Sequence, residues 1–403
     1  MNQNSASTEF TTTPKKVVNK LPVFDNDRQL ESFMSSNFLE SLKQMIRITV
    51  NTIVRQEMDK FRSEMDDKIY FNGNYNRQML STMGKIDNVP IPRFRQSNGF
   101  SPSSLSVFDS EQDKFMKLVE QMHLNGISQR KISKLAKDCF GITLSKNRVG
   151  KVYVDFAKKE EMNINSQKLD DNFDYLILDG VYVKTKGYGW DNNKAVLLCA
   201  LGIRPDGKRQ IIGFSFARAE DYESWLELVD NIQGRGLVGK TLKLIIADGH
   251  KAIKSVARFC FKTIPFQSCV SHKCRNVLIK TKHKNKQAMA DDLKKVFNQN
   301  TREEAIVQAK SLCKKWYQIE PTAVEVFRSN LLTCFTYYQF PKDSWTKIRT
   351  SNALEREFRE LRRRIKVFDN CFNHQQSTEN YANTIFSNLN QTYPAYQFLH
   401  TKA

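Results

Sequence analysis

Three carboxylates in this 403-residue chain have the setting for chemistry. Asp179 follows the apolar run Tyr175-Leu176-Ile177-Leu178, and Asp248 follows Leu244-Ile245-Ile246-Ala247. Both are therefore expected at or near the end of a buried strand, where open sheets usually place their sites. Glu355, in Thr350-Ser351-Asn352-Ala353-Leu354-Glu355, opens a helix. Each residue also has a local structural reading: Asp179-Gly180 as a hairpin turn, Asp248-Gly249 as a helix cap, Asn352-x-x-Glu355 as a capping box. The combination points further. Three carboxylates from two strand ends and one helix can hold two divalent cations about 3.5 to 4 Å apart, one activating water or a 3′-hydroxyl and the other stabilising the leaving oxygen. That is phosphodiester chemistry, and hard oxygen ligands suit Mg2+ or Mn2+. The neighbouring Arg356, Arg359, Arg362, Arg363, Arg364 and Lys366 would neutralise the phosphates.

A sheet has to deliver these groups. Tyr175 to Leu178, Ala195 to Leu201 and Gln210 to Phe216 have the composition of three consecutive strands, with Pro205-Asp206-Gly207 turning between the last two. A helix through Ser224, Trp225, Leu228, Val229 and Ile232 follows, stopped by Gly234 and Gly236; Trp225 is expected in the core. The apolar strand Leu242 to Ala247, a helix after Asp248-Gly249 and a short strand around Phe266 to Val270 complete a mixed α/β core. Beyond Lys273 the chain turns helical and basic, with 12 Lys and Arg against 4 Asp and Glu between 273 and 315. This predicts a helical insertion facing a phosphate backbone.

The N-terminal part reads differently. Residues 1 to about 28 have no apolar period and are expected to be a disordered tail. Leu42, Ile46, Val50, Ile53, Met58, Phe61 and Met65 then mark one helix face. Asn72-Gly73-Asn74, with an extended stretch ending in Pro90 and Pro92, suggests a small hairpin. Three short helices are expected over 111 to 156, broken at Gly126 and Gly141; the third, capped by Ser145, offers Lys146, Asn147 and Arg148 to a DNA groove.

Composition narrows the class. There are 63 Lys and Arg against 43 Asp and Glu, a formal charge of +20, which calls for a polyanionic partner. No apolar stretch approaches the roughly 18 residues of a membrane span. The eight cysteines are scattered, as expected of reduced thiols rather than a disulfide framework. Cys269-x-x-His272 lacks the second Cys/His pair that a structural zinc site needs.

These residues carry a close resemblance to transposases of the Mutator-like superfamily, in the branch with many bacterial insertion-sequence enzymes. The matching segments are Leu178-Asp179-Gly180-Val181-Tyr182-Val183-Lys184, Ala247-Asp248-Gly249-His250-Lys251-Ala252, Phe266 through Asn276, and Arg349 through Arg356 leading to Arg362-Arg363-Arg364. Two departures stand out: the family's Arg-Asn-Gly-Tyr element is present only as Phe71-Asn72-Gly73-Asn74-Tyr75, and Ser268 stands where Arg often precedes the Cys. The resemblance implies a ribonuclease H-like core with an Asp-Asp-Glu triad of Asp179, Asp248 and Glu355 as ligands for two Mg2+ or Mn2+ ions. It implies that His250, Cys269 and His272 support that site, and that Arg275, Arg356, Arg359 and Arg363, with Lys146, Asn147 and Arg148, contact DNA. The expected activity is binding of an element's terminal inverted repeats in double-stranded DNA, nicking of its ends and transfer of the 3′-hydroxyls to target DNA, by a homodimer or higher oligomer on DNA. Two alternatives are a domesticated DNA-binding protein without catalysis and a nuclease without strand transfer. The location would be cytoplasmic and nucleoid-associated in a prokaryote, nuclear in a eukaryote. The expected organisation is a tail at 1–28, a helical and hairpin region at 29–107, a helix-turn-helix DNA-binding domain at 108–165, the core at 170–275, an all-α insertion at 276–345, the rest of the core with Glu355 at 346–390, and a tail at 391–403.

Overall fold

The computed structural model describes residues 27–64, 70–81, 84–95, 100–145, 147–151, 163–185, 194–365, 371–372 and 375–392. Residues 1–26 and 393–403, and with them nearly all of both expected tails, lie outside the described residues, as does Lys146. The chain divides into two compact units, residues 1–119 with 133–146, and residues 120–132 with 147–403.

In the first unit, α1 (Asp27–Glu64) turns Ile46, Val50, Val54, Met58 and Phe61 toward one side, at the three- and four-residue steps of a single helix face. They pack with Met79, Ile86, Val89 and Ile91 of a hairpin, β1 (Phe71–Ser81) and β2 (Gly84–Phe94). The hairpin is present, but Asn72-Gly73-Asn74 is not its turn. Gly73 lies inside β1 at φ 65°, where the register shifts between Phe71 and Asn74. Its positive φ serves a bulge, the other common use of an Asn-Gly pair. Two helices follow, α2 (Ser106–Leu124) and α3 (Gln129–Phe140), and residues 147–151 are helical again. The division between the units falls within α2 and α3.

The second unit is built on a mixed sheet. β3 (Tyr175–Thr185), β4 (Lys194–Ile203) and β5 (Arg209–Ala217) form the expected antiparallel meander. β6 (Leu244–Ala247) runs parallel to β3, and β7 (Phe266–Ser268) parallel to β6. The strand order is β5-β4-β3-β6-β7, and the short β8 (Cys371–Phe372) pairs with Lys184 and Thr185 at the far end of β3.

Alternation along β3 sorts the core into two layers. Leu176 and Leu178 face α4 (Tyr222–Gly234) and α5 (Lys251–Cys260), with Trp225 fully buried among them. Ile177, Val181 and Val183 face the other layer, to which α6 (Val270–Lys280), α7 (Lys286–Phe297), α8 (Arg302–Trp316), α9 (Pro321–Arg328), α11 (Asn352–Ile365) and α12 (Gln375–Thr392) contribute. The one-turn α10 (Trp345–Ile348) leads into α11. The stretch from α7 to α10 is helical, with a 3-10 segment at Leu331–Gln339. Buried Gln267 of β7 ties that segment to the sheet, donating to Cys334 O (3.0 Å) while its Oε1 accepts from Tyr337 N–H (2.8 Å). Among the described residues no helix is long and apolar enough to cross a membrane.

The turn after α4 depends on a missing side chain. Gly236 has φ 125°, and a Cβ there would lie 2.3 Å from the carbonyl oxygen of Leu169. Both the backbone strain and the clash with a fixed carbonyl penalise any replacement. Gly236→Ala is expected to lower stability by about 2–4 kcal/mol, read from the urea midpoint. A midpoint equal to wild type would show that this loop relaxes freely.

Candidate metal and phosphoryl-transfer site

Asp179 is the fifth residue of β3, paired with Cys199 of β4, so the hairpin-turn reading of Asp179-Gly180 does not hold. The strand simply continues: Gly180 pairs with Leu198 and Val181 with Leu197. Nor is Asp179 at a strand terminus. Its neighbour β6 stops at Ala247, opposite Leu178, and this leaves the edge of β3 open at Asp179. A carboxylate in mid-strand thus lies beside the mouth of the adjacent parallel strand. Asp179 is only 5% exposed and accepts the Gly180 N–H at 2.9 Å. Burial pushes its carboxyl up to about 6 against the opposing pull of the His272 charge and the Gly180 N–H.

Asp248 follows β6 directly and is half-buried. The cap position of α5 is His250, which makes no side-chain cap bond, so Asp248 is not the cap. His250 itself is exposed.

Glu355 lies in the first turn of α11, where the Leu354 and Glu355 N–H groups donate to Ser351 O at 2.9 and 3.1 Å. Its carboxylate does not reach back to close a capping box on Asn352. Oε1 instead meets His272 Nε2 at 3.5 Å and Arg275 Nη2 at 3.4 Å. His272 and Arg275 are three residues apart on α6 and share a face. Arg275, expected on DNA, is here a partner of the acid.

One donor atom each from Asp179, His272 and Glu355 lie within 4.8 Å of one another, a group that could close on one ion. Asp248 is outside that group, although its charge is felt by His272. Burial alone would lower the His272 pKa, but the Cys269 hydrogen bond and the charges of Cys269, Asp179 and Asp248 raise it to about 9. The imidazolium therefore stands between two carboxylates near neutral pH.

Cys269 and Ser351 hold this histidine in place. Cys269 is the N-cap residue of α6, its N–H bonded to Ala247 O at 2.8 Å. Ser351 donates its N–H and hydroxyl to Cys269 Sγ (3.3 and 3.4 Å), and its Oγ is 3.4 Å from His272 Nδ1. Val270 N–H donates to Arg349 O at 2.9 Å. Burial would push the Cys269 thiol up, yet His272 and Ser351 bring it below its ordinary value. The Cys-x-x-His pair thus joins the end of β6, the start of α6 and the start of α11.

The basic residues after Glu355 differ in their engagement. Arg356, Arg359 and Arg363 are exposed, while Arg364 is buried. Arg363 is bound to Glu360 at 2.7 Å and donates to Asn125 O at 3.2 Å. Arg364 shares Glu360 at 2.8 Å. The Arg363 and Arg364 hydrogen bonds outweigh partial burial and hold the Glu360 carboxyl at about 2. Asn147 and Arg148 are exposed on the helical residues 147–151. Sequence reasoning missed Ser351, which could have been found as the residue before a helix that opens on a candidate acid.

A family model described as "Transposase, Mutator family" matches residues 19–395. The chain belongs to that family. It is 25% identical over 363 residues to the transposase for insertion sequence element IS905 of Lactococcus lactis subsp. lactis (strain IL1403), covering 87% of this chain and 89% of that one. The transposase for IS406 of Burkholderia multivorans is 29% identical (82% and 86% covered), and that for IS256 in transposon Tn4001 of Staphylococcus aureus 27% (79% and 80%). A solved structure, the Drosophila P element transposase strand transfer complex, matches over 71% of this chain and 84% of that one at 12% identity and a TM-score of 0.28, too slight a likeness to define the fold.

Proposed function

We propose that this insertion-sequence transposase binds the terminal inverted repeats of its element, nicks the ends and transfers the freed 3′-hydroxyls to target DNA through an Asp179, Asp248 and Glu355 centre on a ribonuclease H-like core. The observation that carries the reading is the convergence of Asp179 and Glu355, 176 residues apart in sequence, with donor atoms within 4.8 Å at the open end of β6. The sheet order, an antiparallel meander continued by two parallel strands, supports the core assignment.

Carboxylate oxygens this close suit a hard divalent cation, so the acidic donors fit Mg2+ or Mn2+. Asp179, Asp248 and Glu355 would hold the ions. When bound, such ions activate the attacking hydroxyl and stabilise the leaving oxygen. The chain's own groups prepare the site. The β3 backbone fixes Asp179, the first turn of α11 aims Glu355, and His272 and Arg275 offset the charge of the acids. Exposed Arg356 and Arg359 lie beyond Glu355, where they would meet phosphates and set the path of the duplex.

Incubating the full chain with a terminal-repeat duplex and a target plasmid in Mg2+ tests the reading. Nicked repeat ends and covalently joined products are expected. Ends that are cut and never joined would make the chain a nuclease; specific binding without cutting would make it a DNA-binding protein that has kept the fold.

A further inference from the structure

Glu220 stands just before α4, and its neighbour Asp221 serves as the helix cap, accepting the Ser224 N–H at 2.9 Å. Cap duty therefore does not explain Glu220. Its carboxylate lies instead against β3 beside Asp179: a Cβ on Gly180 would meet Glu220 Oε1 at 2.7 Å and Cδ at 3.0 Å. Gly180 leaves room for that carboxylate. Successive strand residues face opposite sides, so Glu220 approaches β3 from the α4 and α5 layer while Asp179 points into the other. Asp248, beyond the end of β6, is felt on both sides, by Glu220 and by His272. Among the described residues, no group hydrogen-bonds to or ion-pairs with the carboxylate of Glu220 or of Asp248. Two half-buried carboxylates this close oppose one another's charge; His250 and His272 offset this only in part, so that burial and the Asp248 charge still hold the Glu220 carboxyl above its ordinary value, and a divalent ion would remove that cost.

We propose that Glu220 is a fourth carboxylate of the metal centre, holding one of the two divalent ions together with Asp248. This rests on the metal-centre reading above. It gives each layer an acid of its own, Asp179 with Glu355 on one side and Glu220 on the other, with Asp248 between them.

The test is Mn2+ binding to the full chain, followed by calorimetry and by the electron paramagnetic resonance of free Mn2+. Glu220→Gln is expected to weaken one of two Mn2+ sites by about 10- to 100-fold and to raise the Mg2+ needed for half-maximal nicking in step. Glu220→Asp should recover part of the loss. Gly180→Ala, which displaces the carboxylate without removing it, should also weaken Mn2+ binding and should add little in the Glu220→Gln background. It serves as the second variant if Glu220→Gln folds poorly. Asp248→Asn separates the two readings. If it loses Mn2+ while Glu220→Gln and Gly180→Ala bind as wild type does, Glu220 is no ligand and the centre stands without it. If Asp248→Asn also binds Mn2+ normally, both readings fail.

Discussion

Asp179→Asn, Asp248→Asn and Glu355→Gln are each expected to reduce nicking of terminal-repeat DNA by about a thousandfold or more, with the fold and repeat binding retained. Metal charge stabilisation contributes several kcal/mol to such a transition state, and about 4 kcal/mol is already a factor near a thousand in rate. The substitutions keep size and remove one charge, so circular dichroism and gel-shift binding should match wild type. The three losses should not add, because an ion mispositioned by one missing carboxylate gains nothing from the others. Asp179 has the most to lose, being buried and paired through its strand to β4. Glu355 is the sharpest discriminator. It already has two protein partners, His272 and Arg275. Near-normal nicking by Glu355→Gln would leave it as an anchor for α6 and remove it from the chemistry.

The residue pattern exposed much of this arrangement. Buried strands of continuous apolar residues, such as β4 and β6, leave no alternative period, and both lie where the apolar runs stand. The extent of β3 was hidden because its second half, Val181 to Thr185, alternates buried and exposed residues and is preceded by an Asp-Gly pair, which usually turns a chain. Gly180 is kept small by Glu220 instead, a contact 40 residues away in sequence that local pattern cannot encode. The same limit explains Gly73, whose positive φ is legible while its use in a bulge is decided by pairing with β2. Asp179 and Asp248 stood out as candidates because each follows an apolar run, and Glu355 because it opens a helix. Glu220 did not: it is one of 43 acidic residues, its neighbour caps the helix, and only the folded sheet places it at the site.

A second large effect is expected away from the acids, at Glu357. On α11, Leu354, Phe358 and Leu361 bury an apolar face, and Glu357 goes into the interior with them. There it meets Arg209 at the start of β5, with N to O at 3.4 Å and side chains only 3% and 7% exposed. This pair fastens the helix that carries Glu355 to the outer strand of the meander. Removing one partner of a buried ion pair costs about 3–5 kcal/mol, whereas replacing both by apolar residues of similar volume is close to neutral. Glu357→Ala should therefore lower the urea midpoint of the core strongly, and Arg209→Met with Glu357→Leu should restore most of it. Cleavage should follow stability even though neither residue reaches substrate, because a shift of about 1 Å in a positioned group can cost about a hundredfold in rate. If Glu357→Ala proves as stable as wild type, apolar packing alone seats α11. If the double apolar variant regains stability yet stays inactive, the pair fixes the angle of Glu355 as well as the helix that bears it.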